Sequence, residues 1–514
     1  MPPLNTTKRT CLALAVSQAI VMPLHAATIT VDSTLDAQVA GICTLRSAII
    51  AANTNTAVDS CVAGSVSGRD IIDLTGLPNN STINLSADAL PSIKSSISLN
   101  GPGQDDLTIS GYDDVLMFEI RGGENSGQSY AGDLIVSSMT FSNGEPRFRG
   151  GGVFFMKAYS RTPIQLEIND TTFYNNEQPI YADNDSTVTI NNSTFDRNEF
   201  DAIHARGSGV VIINNSIISG TTRGLGVYAT STSIVTINNS TVSDNLGGGV
   251  NATSGSTVTI TNSAISGNSA SFGGGVRSGG RGTVIINNST ISGNSARFSG
   301  AGVSSLTDST MTINNSTLSN NSSYSAGGAV FSNHEGEINI NNSTVVNNSA
   351  GRRSGGGVYS TGDSSVSISN TIVAGNTAGN TISNGPVEID LRTTITPSLQ
   401  NNVIGSRALS SLEAFGGFTP NASNIITTSD QLNVPLNRII EPLANNGGQT
   451  RTHALPADSP ALNSGNNTNC PSIDQRGEPR DDGACDIGAV EGPLDDESFF
   501  VVPLKNDKAV IFSL

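Results

Sequence analysis

One short unit repeats through the middle of the chain, and an isoleucine marks each copy. These anchor residues are Ile168, Ile190, Ile213, Ile237, Ile260, Ile286, Ile313, Ile340 and Ile368. Successive anchors are 22 to 28 residues apart, and the interval lengthens toward the C-terminal side. A period of this length is typical of a solenoid, in which each unit buries its apolar side chains against the next unit.

Each copy contains three short runs in which apolar and polar residues alternate. In one copy, Val211 and Ile213 belong to the first run, Ile218 to the second and Val227 to the third. An alternation of period two indicates a strand, and no run is long enough for a helix. Parallel strands stacked about 4.8 Å apart would enclose a continuous apolar column. We therefore predict an all-β, right-handed parallel β-helix.

Two columns of asparagine accompany the anchors. Two residues after the anchor stand Asp170, Asn192, Asn215, Asn239, Asn262, Asn288, Asn315, Asn342 and Asn370. Eight residues after it stand Asn176, Asn198, Thr221, Asn245, Asn268, Asn294, Asn321, Asn348 and Asn376. Asparagine tolerates the left-handed conformation of a tight corner, and stacked amides can hydrogen-bond between rungs. We expect both columns to be corner ladders. A glycosylation surface is the alternative interpretation of the Asn-Ser and Asn-Thr strings.

The first 26 residues have the pattern of a secretory signal. Lys8 and Arg9 precede an apolar run from Cys11 to Met22, and small residues follow, so we expect cleavage near Ala26. No later stretch is long and apolar enough to cross a bilayer as a helix. We therefore expect a protein that passes through export machinery and is secreted or displayed at the cell surface.

The chain is acidic, with a formal net charge of −17 at pH 7. Loss of Lys8 and Arg9 with the signal would take −17 to −19. Such a surface disfavours nucleic acid and anionic lipid as partners, and it repels polyanionic polysaccharides.

Four cysteines remain once Cys11 leaves with the signal. An even number in an exported chain favours disulfides, and the spacing favours Cys43 with Cys61 and Cys470 with Cys485. Zinc binding is the weaker alternative, because the pairs lack short ligand spacing and a partnering histidine.

The segment from Cys43 to Asn53 has apolar residues at helical spacing, with Thr44 as a potential N-cap. We expect a short helix that caps the first coil. Its string Cys-Thr-Leu-Arg-Ser-Ala-Ile resembles the CSLREA-type N-terminal motif of bacterial surface β-helix proteins. The Gly-Gly-Gly-Val and Ser-Gly-Asn strings between residues 240 and 376 resemble the repeats of polymorphic outer-membrane proteins. These resemblances imply a secreted or surface passenger, commonly adhesive.

A third resemblance covers the region after residue 445. The strings Asn-Asn-Gly-Gly-Gln-Thr-Arg-Thr-His-Ala-Leu, Asp-Gln-Arg-Gly and Cys-Asp-Ile-Gly-Ala-Val-Glu occur there in that order. They are similar to the C-terminal module of choice-of-anchor Q domain proteins. In such a module we expect His453, Asp474, Arg476 and Arg480 to make charge-assisted hydrogen bonds that lock an irregular cap. A catalytic role for these four residues is the alternative.

The chain therefore divides into five predicted segments. Residues 1–26 form the signal, 27–133 the N-terminal cap and first irregular coils, and 134–376 the regular array. Residues 377–492 form irregular late coils and the C-terminal module. Residues 493–514 form an acidic spacer and a tail, which would act as a sorting tag or fold as a strand pair.

One column of the array has the residue types of a binding site. The residue after the Gly-Val valine should point outward, which gives Tyr181, His204, Tyr228, Asn251, Arg277, Ser304, Phe331 and Tyr359. We expect Tyr181, His204 and Tyr228 on three consecutive rungs, flanked by Asp183, Asp201 and Arg206. Aromatic faces with a few polar groups suit a sugar ring, and Asp201, His204 and Arg206 could supply acid-base chemistry.

The sequence thus favours a non-enzymatic surface or extracellular β-helix protein that contacts glycan. The alternative is a polysaccharide lyase or glycoside hydrolase acting around His204, although the array lacks the cluster of acids that a glycosidase needs. We expect no metal or other cofactor. A calcium site at Asp183, Asp185, Asp196 or Asp201 is the alternative, which no loop signature supports. A third hypothesis is a flat ice-binding face, because Thr189, Thr236, Thr259 and Thr312 share one outward column. Ile212 and Ile285 interrupt that column.

Overall fold

The computed structural model describes residues 26–86, 88–111, 115–125, 128–145, 152–158, 163–352, 355–379, 387–393, 397–481 and 483–492. The predicted signal, apart from residue 26, and the predicted spacer and tail lie outside these residues.

The chain forms the predicted right-handed parallel β-helix, with three long sheets and one short sheet. Within a coil the chain passes through sheet 1, sheet 2 and sheet 3 in turn, and in the later coils it visits sheet 4 between sheets 2 and 3. The strands of each sheet pair in parallel with those of the next coil, apart from one antiparallel hairpin in sheet 3.

Sheet 1 has 14 strands: Thr28–Thr30, Asp70–Asp73, Ser96–Asn100, Asp133–Ser137, Ile164–Asn169, Ser186–Asn191, Val210–Asn214, Ile234–Asn238, Thr257–Thr261, Thr283–Asn287, Thr310–Asn314, Glu337–Asn341, Ser365–Ser369 and Ser398–Gln400. Sheet 2 has 14 strands: Ser81–Asn84, Leu107–Ser110, Thr140–Ser142, Thr172–Tyr174, Thr194–Asp196, Ile217–Ser219, Thr241–Ser243, Ala264–Ser266, Thr290–Ser292, Thr317–Ser319, Thr344–Val346, Ile372–Ala374, Val403–Ile404 and Ile425–Ile426.

Sheet 3 has 13 strands: Phe118–Asn125, Gln128–Ala131, Phe154–Ala158, Ile180–Ala182, Ile203–Ala205, Val227–Ala229, Val250–Ala252, Val276–Gly279, Val303–Leu306, Val330–Asn333, Val358–Gly362, Ile389–Thr393 and Phe415–Gly416. Sheet 4 has five strands: Ser269–Phe272, Ser295–Ser299, Ser322–Ser323, Ser349–Ala350 and Thr377–Ala378. The α-helices are Leu45–Thr54 and Ser411–Ala414, and 3-10 turns cover Leu436–Arg438 and Asn467–Asn469.

The apolar columns fill the interior as predicted. Ile190 pairs in register with Ile168 and Ile213, and the same alignment continues along all nine anchors. Every anchor is at most 1% exposed. In the early coils phenylalanines stack inside the helix, and the rings of Phe173 and Phe195 lie 4.4 Å apart. Like side chains therefore lie above like along one axis.

The first asparagine column forms the predicted corners, but its side chains make few of the hydrogen bonds between coils. Every member, from Asp170 to Asn370, has a φ between 46° and 52°. Most hydrogen bonds between side-chain amides of neighbouring coils are made at this corner by the preceding residue. For example, Asn214 Nδ2 donates to Asn191 Oδ1 at 2.9 Å. That residue still lies in the strand, so its side chain stands directly above its counterpart in the neighbouring coil. The expected amide ladder is thus displaced by one residue.

The second asparagine column is a buried ladder. From Asn245 to Asn376, each Nδ2 donates to the Oδ1 of the next member at 2.8 to 3.0 Å. Thr221 interrupts the column. At the C-terminal end Glu388 takes the place of an asparagine, and its Oε1 accepts from both the backbone N and the Nδ2 of Asn376 at 2.9 Å. Glu388 is fully buried, and its Oε2 has no partner in the described residues.

Sheet 4 and the glycines that follow its strands form a roof over part of sheet 3. A Cβ placed on Gly273 would lie 2.7 Å from Ser304 Oγ, and one on Gly355 would lie 2.7 Å from Tyr359 Cβ. The outward side chains of Phe331 and Tyr359 are consequently buried, at 6% and 8% exposure. The anchor intervals of 26 to 28 residues contain this additional strand.

The C-terminal module runs back along the outer face of sheet 2. Thr290 Oγ1 donates to Arg451 O, and Thr317 Oγ1 donates to Gln475 Oε1 at 2.7 Å. Outward Val346 and Ile372 are buried in a cluster with residues of this module. The irregular C-terminal module therefore covers the side of the helix, where these apolar outward residues require a cover.

The N-terminal end follows the prediction. Thr44 caps the helix Leu45–Thr54, and its side chain accepts from Ser47 N. Cys43 bonds to Cys61, and Cys470 bonds to Cys485, which confirms both predicted disulfides.

Candidate functional site

The predicted outward row exists on sheet 3. Tyr181 pairs with His204, and His204 pairs with Tyr228, so the three residues occupy consecutive rungs. Phe155 precedes them in the same register. The ring centroids are 5.4 Å apart from Phe155 to Tyr181, 5.0 Å from Tyr181 to His204, and 4.7 Å from His204 to Tyr228. Four rings therefore form a continuous aromatic row parallel to the helix axis.

His204 lies between the two tyrosines and is held by polar side chains at its Nδ1 edge. Nδ1 is 3.3 Å from Asp201 Oδ2 and 3.2 Å from Gln178 Nε2. Asp201 Oδ1 accepts from Leu225 N at 2.9 Å, which fixes the carboxylate. The His204 side chain is 15% exposed, and its buried Nε2 has no partner in the part of the chain described.

Arg206 orients the hydroxyl at one end of the row. Its Nη1 donates to Tyr181 Oη at 3.0 Å. This hydrogen bond, together with the charge of Asp183, raises the pKa of Arg206 above its ordinary value. The structure therefore groups Asp183, Asp201 and Arg206 around the aromatic residues, as the sequence indicated.

Acidic residues at the neighbouring corner were not identified from the sequence. Glu177 and Glu199 follow the buried asparagines of two consecutive coils. Burial raises the pKa of Glu177, and the charges of Glu145 and Glu199 raise it further. Glu199 pairs with Arg223 at 2.6 Å. The Asn-Glu dipeptide, which recurs in these two coils, was the sequence pattern from which the two glutamates could have been identified.

The aspartates considered for calcium have other partners. Asp185 Oδ1 accepts from Ser208 Oγ at 2.7 Å, and Asp196 lies 3.7 Å from Arg197. Within the described ranges, no set of three or more His, Cys, Asp or Glu side chains is placed to hold a metal ion.

The charged residues of the C-terminal module form ion pairs with each other and are not part of the aromatic row. Arg480 Nη1 pairs with Glu491 Oε2 at 2.6 Å, and the Arg480 side chain has no exposure. Arg476 pairs with Asp474 at 2.7 Å, and the Asp474 side chain is equally enclosed. The Arg480–Glu491 pair and the donation from Arg476 Nη2 to Glu491 O join segments of the module to each other, as expected of structural ion pairs.

His453 joins the module to the helix. Its Nδ1 lies 2.7 Å from Glu441 O, and its Nε2 lies 3.0 Å from Ser319 Oγ. The carbonyl requires a proton on Nδ1, so Nε2 accepts from the hydroxyl. Burial lowers the pKa of His453, which favours this neutral form.

The threonines proposed for an ice-binding face do share one column. Thr236 pairs with Thr259 on the outward side of sheet 1, and Ile212 and Ile285 occupy the same column.

Comparisons with known proteins place the regular coils in context. Residues 151–317 and 201–378 match the model of the right handed beta helix region. Among solved structures, the chain is similar to pectate lyase Pel9A, with a TM-score of 0.39, 14% identity, and coverage of 74% of this chain and 98% of that one. It is also similar to the A-module of the mannuronan C-5 epimerase AlgE6 of Azotobacter vinelandii, with a TM-score of 0.30, 15% identity, and coverage of 65% and 91%. No curated protein sequence matches the chain.

Proposed function

We propose that the protein binds glycan on the aromatic row of Tyr181, His204 and Tyr228 and does not cleave it. The observation that carries this proposal is the unbroken stack of outward rings, with centroid spacings of 5.0 and 4.7 Å between these three residues. In this proposal the protein is an exported scaffold at the cell surface or outside the cell, with an adhesive role.

The physical argument rests on the match between the row and a sugar chain. The C–H face of a sugar packs on an aromatic ring, and polar groups at the ring edge bind its hydroxyls. Gln178, Asp201 and Arg206 supply donors and acceptors along the row. Because the rungs fix these side chains in advance, binding requires little ordering of the protein.

Export is supported by the two disulfides, which form and persist in oxidising compartments. The signal pattern at the N-terminus provides the second argument. Among the described residues, no helix has the length and apolar character needed to span a membrane.

One observation favours a second candidate function, a lyase or hydrolase centred on His204. The 3.3 Å separation of His204 Nδ1 from Asp201 Oδ2 resembles an orienting carboxylate behind a general base. The Nε2 atom that would exchange a proton with substrate is buried between the tyrosines, however, so the ring would have to turn before reacting.

A polysaccharide panel tests the two candidates. The full chain should retain immobilised glycan, and Tyr181→Ala or Tyr228→Ala should each weaken binding about 3-fold to 10-fold. Tyr324→Ala is the matched control, because Tyr324 is 52% exposed and lies outside the row. Equal binding by all four proteins would contradict the proposal.

Product analysis on the same panel examines catalysis. Glycan binding without release of new chain ends supports the proposal. Cleavage by the wild-type protein that disappears in His204→Gln would establish the enzyme instead. Cleavage that persists in this variant would move the active site elsewhere.

A further inference from the structure

Polar atoms without partners continue along the aromatic row beyond Tyr228. The next three outward residues are Asn251, Arg277 and Ser304, on successive rungs. Asn251 Oδ1, Arg277 Nε and Ser304 Oγ are buried, and none has a hydrogen-bond partner among the described residues. Buried polar atoms normally have partners, so the two members that keep some exposure, Asn251 and Arg277, indicate a surface built for an additional molecule.

Arg277 is the charged member of this series. It makes no ion pair and no hydrogen bond within the described part of the chain, whereas Arg281 of the same coil pairs with Asp308 at 3.2 Å. The guanidinium lies beside Gly279, where an added Cβ would be 3.9 Å from Nε and 4.0 Å from Nη2. The absence of a side chain at this glycine leaves one flank of the guanidinium open.

The roof ends the row at this point. An added Cβ on Gly273 would lie 2.7 Å from Ser304 Oγ and 2.8 Å from Arg277 Cβ, so the backbone there touches both residues. Ser304 is completely buried, and Asn251 is 9% exposed. A molecule extending from Tyr181 past Tyr228 would therefore stop at Arg277.

We propose that Asn251 and Arg277 form a terminal subsite for an acidic sugar at the end of an otherwise neutral oligosaccharide. This inference rests on the proposed function. The guanidinium fork suits a bidentate bond to a carboxylate, and Asn251 Oδ1 can accept from a sugar hydroxyl. Asn251 also fixes the register, because it lies one rung from Tyr228 and one rung from Arg277.

Spacing and charge identify this class of ligand. Arg277 lies two rungs from Tyr228, about 10 Å, which places the acidic group beyond the sugars that stack on the rings. The net charge of −17 repels a chain that carries an acid on every unit. A single terminal carboxylate limits that repulsion and still engages Arg277.

The experiment measures binding of the full chain to an array of immobilised oligosaccharides. Each neutral oligosaccharide is paired with a counterpart that ends in a uronic or sialic acid. Wild type should bind the acidic member of a pair about 10-fold to 100-fold more tightly at low salt. Arg277→Ala should abolish this preference and retain binding to the neutral member. Arg281→Ala should keep the preference, because Arg281 is an exposed arginine of the same coil. Equal thermal melting of the three proteins establishes that folding is unchanged.

Each result has a distinct meaning. A wild-type protein that binds both members equally, or an Arg277→Ala variant that retains the preference, overturns the terminal subsite and leaves the glycan-binding proposal standing if Tyr228→Ala weakens binding. Binding to no member of the array overturns both. Arg277→Lys keeps a positive charge without the fork, so a weakened preference in this variant supports bidentate recognition.

Discussion

Because of Glu388, the free energy of unfolding should decrease as the pH rises. This residue closes the buried asparagine ladder by accepting two hydrogen bonds from Asn376. Burial raises its pKa from the ordinary 4.5 to about 8, against the opposing effect of the bonds from Asn376. Between these values the folded chain retains a proton that the unfolded chain releases.

The sign and size of the effect follow from this difference in proton binding. Because the folded state binds the extra proton, the free energy of unfolding decreases by about 1.4 kcal/mol per pH unit from about pH 5 to pH 8. Over the whole window the loss is about 5 kcal/mol. Below the ordinary pKa both states are protonated, and above about 8 both are ionised, so the dependence ends at both limits.

The assay should detect the coils next to Glu388. Solenoid coils contact mainly their neighbours, so the loss should appear as local opening around Asn348 and Asn376. We expect hydrogen exchange of peptides covering residues 340–379, corrected for the intrinsic rate, to lose up to about 100-fold in protection from pH 6 to pH 8. Glu388→Gln keeps an acceptor for Asn376 and cannot ionise, so its protection should not change with pH.

Glu337→Gln is the matched control, because Glu337 is an exposed residue of a nearby coil. This variant should follow the wild-type pH profile. If Glu388→Gln also follows the wild-type profile, the argument from the buried carboxyl is incorrect.

Three further outcomes are expected. Burial lowers the pKa of His453, so this residue opposes the Glu388 effect by reducing stability as the pH falls below about 6.5; from pH 7 to pH 5 the urea midpoint of His453→Gln should rise relative to that of the wild type. Asn294→Ala should lower the free energy of unfolding by about 2 to 4 kcal/mol, because the backbone N and Nδ2 of Asn268 lose an acceptor and Ile265 O loses the Nδ2 donor. Exposed Ser295→Ala should change it little in the same urea titration. Replacing Cys43 and Cys61 with serine should cost about 3 kcal/mol by opening a loop between residues 18 apart, observed as earlier melting of the N-terminal cap.

The coil architecture could be predicted because its signals are local and repeated. The anchor isoleucines alternate at strand period, and the columns from Asn192 to Asn370 mark a corner that only a few residue types can adopt. The repeat spacing also predicted that Tyr181, His204 and Tyr228 lie on one outward row, and the register of the paired strands confirms this placement. What each of these residues binds stays a prediction.

The elements that cover the coils could not be placed from the sequence. The longer anchor intervals showed that residues are added, but the contact of Gly273 with Ser304 depends on how the added strand folds over sheet 3. Outward Val346 and Ile372 are covered by the segment from residue 439 onward, and nothing in their spacing identifies that segment. Glu177 and Glu388 acquire perturbed pKa values only from three-dimensional burial, which residue type alone does not reveal.

The return of the C-terminal module along sheet 2 has a consequence for the order in which the protein matures. The residues that brace Thr290, Thr317 and Thr344 lie 145 to 185 positions farther along the chain, so they leave the ribosome later. Until they arrive, the middle coils present Val346 and Ile372 to solvent and rely on neighbour contacts alone. A nascent chain that stops before the module would thus display a bare apolar strip, which the completed module covers.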